Sequence, residues 1–132
     1  MKSFEEQIEQ ANTKKAYMIH NHIRAVSVNE TEAVCEAETG PDTLNHMGSV
    51  HGSMMMTLAE VTAGLMARSD GRAYVSVDAG FRFISGGKAG EKICAKATVV
   101  KRGRTLAFIH TEVFQGEKLL LAGEVTFFCT GA

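Results

Sequence analysis

The chain has 132 residues, enough for one domain and too few for two ordinary ones. Fourteen Lys and Arg against fifteen Asp and Glu leave a formal charge of −1, so no global field is available to hold nucleic acid or an anionic membrane. With 45% hydrophobic residues, one proline and longest apolar runs such as Leu119 to Ala122, the composition excludes disorder, collagen-like sequence and a bilayer-spanning helix.

Met1 to Gln10 carries neither a basic n-region nor an apolar h-region, so no secretory signal is visible and a cytoplasmic location is the default. Cys35, Cys94 and Cys129 are odd in number and lack CxxC spacing, which fits reduced, part-buried thiols better than a disulfide framework or a zinc ribbon. Phe4, Ile8, Ala11 and Met18 recur at near-helical spacing, predicting an amphipathic helix over residues 3–18. From His22 to Thr39 the period becomes two, with Asn29-Glu30-Thr31 as the turn of a hairpin.

Gly40-Pro41-Asp42 breaks this pattern. Gly52 to Arg68 then forms a run of Met, Leu, Val, Ala and Gly, interrupted before Arg68 only by Ser53, Thr57, Glu60 and Thr62. A helix apolar nearly all round must be buried on nearly all sides. Four strands are expected after it: Ala73 to Ile84, Glu91 to Lys101, Thr105 to Gln115 and Lys118 to Cys129, separated by glycine-bearing turns. A flat sheet cannot cover one helix on all sides, whereas a strongly curved one can. The expectation is a single α+β domain over residues 1–132, with an N-terminal helix in 1–19 and, in 20–130, a long central helix wrapped by a curved antiparallel sheet.

The densest reactive group is Asn45-His46-Met47-Gly48-Ser49-Val50-His51-Gly52-Ser53, which runs into the start of the central helix. A helix N-terminus offers unpaired N–H groups and a partial positive charge that can hold a developing oxyanion. Gly52 lets a ligand approach that backbone, and equally suits a tight loop-to-helix junction. Glu60 is a carboxylate in an apolar helix; desolvation moves such groups toward the range useful to a general base or nucleophile. The alternatives are pairing with an arginine such as Arg72 or Arg82, or a position facing solvent. Gly52 and Glu60 stand roughly 12 Å apart along one helix axis, so both can act on one carbonyl only if they come from two copies of the chain.

The motif Asn45-His46-Met47-Gly48-Ser49-Val50-His51-Gly52, followed by Thr57-Leu58-Ala59-Glu60, Val75-Ser76-Val77-Asp78 and Lys101-Arg102-Gly103-Arg104-Thr105-Leu106-Ala107-Phe108, resembles the PaaI-like, acyl-CoA thioesterase 13 type of hotdog-fold thioesterase. The resemblance covers about residues 20–129. It implies a hotdog fold, hydrolysis of acyl-CoA to a free acid and CoA without metal or redox cofactor, and a homodimer assembled as a dimer of dimers. Carried over by position, the Gly52 N–H polarises the thioester carbonyl and Asn45 positions water or thioester. Glu60 of a neighbouring copy is the base or nucleophile, Ser76 orients the water, and the His51 ring orders the loop. Lys101, Arg102, Gly103 and Arg104 lie where the family meets the CoA phosphates, or form a solvated hairpin tip. Met54 and Phe81 are candidates for the acyl pocket, together with Met55, Met56 and Phe83, and the same residues serve equally well as core. Glu60 stands where this branch usually has Asp, Ser53 where HGG has its second Gly, and Ser85-Gly86-Gly87 where a proline-containing turn is common.

Three rivals stay open at this level: a hotdog hydratase or dehydratase using His51 and Glu60, a non-catalytic acyl-CoA-binding module, and a metal site among His20, His22, His46, His51 and His110. The sequence lacks an HFPxxPxxPG lead-in, an HExxH or Cys/His cluster, and a GxSxG elbow.

Overall fold

A computed structural model describes residues 1–131. Helix α1 (Phe4–Lys14) starts at a capping box in which the Ser3 hydroxyl accepts from the Glu6 N–H and the Glu6 carboxylate accepts from the Ser3 N–H. The single helix expected over 3–18 is instead two, because Lys15 leaves the helical region at φ −94° and ψ 88° before α2 (Ala16–His20). Tertiary docking accounts for the break. The Asn12 side chain donates to the Ala25 carbonyl and accepts from the Ala25 N–H, which pins α1 along the outer edge of the sheet.

Strands β1 (Ile23–Val28) and β2 (Glu32–Ala37) form the expected hairpin, its turn held by Asn29 Oδ1, which accepts from the N–H groups of Thr31 and Glu32. A 3₁₀ turn (Pro41–Thr43) leads into the loop before α3 (Gly52–Arg68). Strands β3 (Ala73–Phe83), β4 (Ile93–Arg102), β5 (Leu106–Gln115) and β6 (Lys118–Gly131) follow, and all six strands make one antiparallel sheet in the order β1-β2-β4-β5-β6-β3. This is the hotdog arrangement, a helix wrapped by a curved sheet. Its inner face mixes small residues, among them Ala33, Ala95, Ala97 and Ala107, with larger ones such as Ile93, Ile109, Val125 and Phe127, all buried, and packs on Leu58, Ala59, Ala63 and Met66 of α3.

Two regions are more open than the apolar pattern predicts. One flank of α3, carrying Ser53, Met56, Thr57, Glu60 and Arg68, is exposed or half-buried rather than enclosed. The sheet also ends on β3, an eleven-residue edge strand hydrogen-bonded, among the described residues, only to β6, on which Val75 and Val77 remain 50% and 57% exposed. A long apolar edge of this kind is a template for pairing with another strand. Cys35, Cys94 and Cys129 are free; Cys35 lies in the core, where burial pushes its thiol up to about 11.

Candidate active site

The loop before α3 is fixed by its own polar groups. Asn45 Oδ1 accepts from the N–H of Met47 at 2.9 Å and of Ser49 at 3.0 Å, and the Asn45 N–H donates to the Ser49 carbonyl at 2.8 Å. Gly48, at φ +81°, closes this turn in a conformation that other residues adopt only with strain. The loop is then tied to the body of the fold, because the Val50 N–H donates to the Gly87 carbonyl and the His51 N–H to the Thr43 carbonyl. Gly87 packs so closely on Val50 that a Cβ would lie 2.9 Å from Val50 Cγ2, and the Ser85 hydroxyl donates to the Leu119 carbonyl. The Ser85-Gly86-Gly87 turn therefore seats the loop without a proline.

His51 caps α3: its Nδ1 accepts from the Ser53 N–H at 3.0 Å and its carbonyl accepts from Met54 and Met55. The neutral ring therefore carries its proton on Nε2. Among the described residues the N–H of Gly52 has no hydrogen-bond partner, so the first turn of α3 retains one free donor at the positive end of the helix dipole. The Phe83 ring stands over this point, since a Cβ on Gly52 would lie 2.8 Å from Phe83 Cε1. Phe83 is 56% exposed. Phe81 is placed differently: its ring packs over Gly123 of β6, where a Cβ would meet it at 2.6 Å. Phe83, not Phe81, is thus the aromatic ring beside the free donor.

A cavity of about 590 Å³ opens next to this helix start, lined by His51, Ser53, Met54 and Thr57 on one side and by His20, His22 and Asp42 on the other. From the sequence alone, His20 and His22 stand out only as metal candidates. Among the described residues no cluster of three or more His, Cys, Asp or Glu is placed to hold a metal ion. His22 adopts φ +60°, unusual for a residue with a side chain, and its Nε2 lies 3.3 Å from Asp42 Oδ2. That backbone conformation has no signature in the sequence around Asn21-His22.

Glu60 is half-buried, two turns further along the open flank of α3, and no hydrogen bond or ion pair engages its carboxylate among the described residues. Arg72 and Arg82 are not its partners; Arg72 is bound to Asp70. Ser76 is exposed on β3 at a bulge between Ser76 and Asp78, and among the described residues no hydrogen bond joins it to Glu60 or Asn45. The chain thus brings together Asn45, His51, Gly52, Met54 and Phe83, and leaves Glu60 and Ser76 apart from them.

The turn after β4 corrects one expectation. Lys101 and Arg104 are exposed, but Arg102 turns inward: its guanidinium donates to the Met66 and Ala67 carbonyls at the end of α3, to Asp70 Oδ2 and to the Tyr74 hydroxyl, at 2.8–3.0 Å. Arg72 completes the group by donating to Asp70 and to the Gly103 and Arg104 carbonyls. The cause is a bulge between Val99 and Lys101, which flips the alternation of β4 and sends Arg102 to the inner face. Desolvation works to raise the Asp70 carboxyl; the hydrogen bonds from Arg72 and Tyr74 and the charge of Arg102 outweigh it and hold the carboxyl below the usual range. Arg102 is therefore a C-terminal cap of α3 rather than a free cation.

No helix among the described residues is long and apolar enough to cross a membrane. The family model described as "Thioesterase superfamily" matches residues 47–122, which include the end of the loop, all of α3 and most of the sheet. Mouse acyl-coenzyme A thioesterase 13 is 32% identical over 93 residues, a match spanning 69% of this chain and 66% of that protein. Among solved structures, zebrafish thioesterase superfamily member 2 is 26% identical with a TM-score of 0.81, covering 95% of this chain and 94% of that one. The E. coli PaaI protein of the phenylacetic acid degradation operon, 21% identical, shares the fold at a TM-score of 0.89 over 98% of each chain. With more than half of its length matched by the family model, the chain belongs to the thioesterase superfamily.

Proposed function

We propose that this protein hydrolyses acyl-CoA thioesters to a carboxylic acid and CoA, at sites shared between two copies of the chain. The observation that carries this reading is the free Gly52 N–H and the unpaired Glu60 carboxylate on one open flank of α3, about 12 Å apart along the axis. Neither group has a partner of its own among the described residues, and a two-fold pairing of antiparallel α3 helices brings each beside the other's counterpart. The exposed β3 edge supplies the means of pairing, because two such edges can join into one continuous sheet. A pairing of two such dimers through their outer faces then gives the tetramer. The name carried by the mouse relative, acyl-coenzyme A thioesterase 13, supports the choice of substrate class.

In this reading the Gly52 N–H, aided by the helix dipole, polarises the thioester carbonyl and holds the oxyanion that forms on it. Glu60 of the partner copy takes the proton of the attacking water, which adds to the carbonyl carbon, or attacks that carbon itself. Collapse of the tetrahedral species expels the CoA thiolate. In the base route the thiolate takes up the proton that Glu60 removed from water; in the nucleophile route water then hydrolyses the acyl-Glu60 anhydride to the free acid and supplies the proton. Asn45 Oδ1 is committed to the loop, so its role is to fix the helix start, with its amide nitrogen left to face the substrate. Ser76 orients water beside the carboxylate, and Lys101 and Arg104 meet the CoA phosphates, with Arg102 removed from that set. Met54 and Phe83 border an acyl group of aryl or medium-chain type. No step calls for a metal or redox cofactor.

Thiol release from a panel of aryl and straight-chain acyl-CoA esters tests this directly. Wild type is expected to cleave at least one ester, and Glu60→Gln, which keeps the shape and removes the carboxylate, to lose about 10²–10⁴-fold in kcat while folding normally. Full activity in Glu60→Gln removes the mechanism. CoA esters that bind without cleavage favour the binding-module or hydratase reading.

A further inference from the structure

A second cavity lies at the opposite end of α3, between α1, α2, the last turn of α3 and the start of β3, with a volume of about 420 Å³. Its floor is apolar, formed by Ala11, Met18 and Leu65. Lys2, Lys15, Arg68 and Arg72 line it, and no Asp or Glu does. In a chain with fourteen basic and fifteen acidic residues, a lining of one sign is a local concentration of charge that favours an anion.

Two of these cations are already engaged. Arg72 serves Asp70 and the 103–104 turn, and Lys2 Nζ donates to Gln10 Oε1. Arg68 and Lys15 make no side-chain hydrogen bond or ion pair among the described residues. The Arg68 side chain folds back over Gly64, where a Cβ would lie 2.9 Å from its Nη1. Desolvation lowers its affinity for its proton, against the supporting charge of Glu60. The Arg68 and Lys15 side chains are nonetheless exposed and, among the described residues, unpaired, so an incoming carboxylate can form a charge-assisted, bidentate pair with the Arg68 guanidinium without displacing an existing partner.

We infer that this cavity binds a carboxylic acid with an apolar body, its carboxylate against Arg68 and Lys15 and its hydrocarbon on Ala11, Met18 and Leu65. A bare inorganic anion would leave the apolar floor unused, and a neutral hydrocarbon would leave the cations unpaired. The volume lies within the usual range for small-molecule sites, about 300–1,000 Å³. Such an acid is the class of product the proposed hydrolysis releases. Only that link to the reaction rests on the thioester reading, since the site is argued from its own lining.

Titration with octanoate, followed by calorimetry and by the methyl resonance of Met18, tests the assignment. Saturable binding that moves the Met18 signal is expected. Octanol and acetate should each bind at least tenfold more weakly. Lys15→Gln alone and with Arg68→Gln should weaken octanoate progressively, to at least tenfold for the pair, with far-UV circular dichroism unchanged. Absence of binding overturns the inference. So does equal binding of octanol, which makes the charges idle, equal binding of acetate, which makes the floor idle, or displacement of octanoate by free CoA at equal affinity, which gives the cavity to the nucleotide. Octanoate binding retained by Glu60→Gln, or by a protein that cleaves no ester, upholds the cavity while the reaction fails separately.

Discussion

The two ends of α3 use similar residues for opposite purposes. At the C-terminal end, Asp70, Arg72, Tyr74 and Arg102 satisfy one another, and the last carbonyls of the helix are capped by a guanidinium. At the N-terminal end the loop is equally well bonded, through Asn45, His51 and Gly87, yet one donor at Gly52 is left over beside an aromatic ring and an open cavity. Charge and polarity alone do not separate a structural cluster from a reactive one. What separates them is whether every group has a partner inside the chain.

Substitutions can break this contrast from either side. At the helix start, Gly52→Val places a branched side chain where Phe83 stands and shields the N–H, so kcat for thioester cleavage should fall about 10²–10³-fold, a loss surpassed only by removal of the Glu60 carboxylate, with little loss of stability. At the other end the pattern should invert. Asp70→Asn strips the charge that four donors share, the Arg72 N–H and Nε, the Tyr74 hydroxyl and Arg102, and should cost about 2 kcal/mol in urea unfolding, while the folded fraction keeps its turnover rate. The pH dependence follows from the lowered Asp70 carboxyl: its stabilisation is complete above the ordinary carboxyl value of about 3.9 and is lost as pH falls through the lower folded value. The stability difference between wild type and Asp70→Asn should therefore be constant near neutrality and shrink only in strong acid.

His51→Ala removes the cap of α3 and should lower stability by about 1 kcal/mol, and His51→Asn, whose side chain can accept the same N–H, should recover most of it. If the ring instead takes part in the reaction, His51→Asn will restore stability without restoring turnover. Smallest of all, Lys101→Gln or Arg104→Gln should raise KM for an acyl-CoA by a few-fold, about 0.5 kcal/mol each, with kcat unchanged and the effect fading in high salt.

Much of this was legible in the residues. The apolar run bounded by Gly52 and Arg68 marks α3 to the residue, and clean alternation marks the strands. The loop from Asn45 to Gly52 stands out because helix starts with unpaired donors are chemically useful. Other features depend on tertiary terms that no local pattern carries. The break at Lys15 follows from docking of Asn12 onto Ala25, with no glycine or proline to announce it. Arg102 points inward because one extra residue at Val100 shifts the register of β4, and an unbulged strand would have turned Lys101 inward instead. The placement of β3 beside β6, at the edge of the sheet, is set by the long connection across α3. That placement in turn decides which surface is left free for a second copy.

In the proposed function each site is divided between two copies, and subunit mixing reports on that division. Glu60→Ala and Gly52→Val are each expected to be inactive as pure proteins. Mixed in equal amounts under conditions of proven subunit exchange, half of the dimers become hybrids carrying one intact site and one doubly defective one, so activity should return to about a quarter of the wild-type level. A mixture that exchanges fully and stays inactive would contradict the divided site and place Gly52 and Glu60 in separate roles.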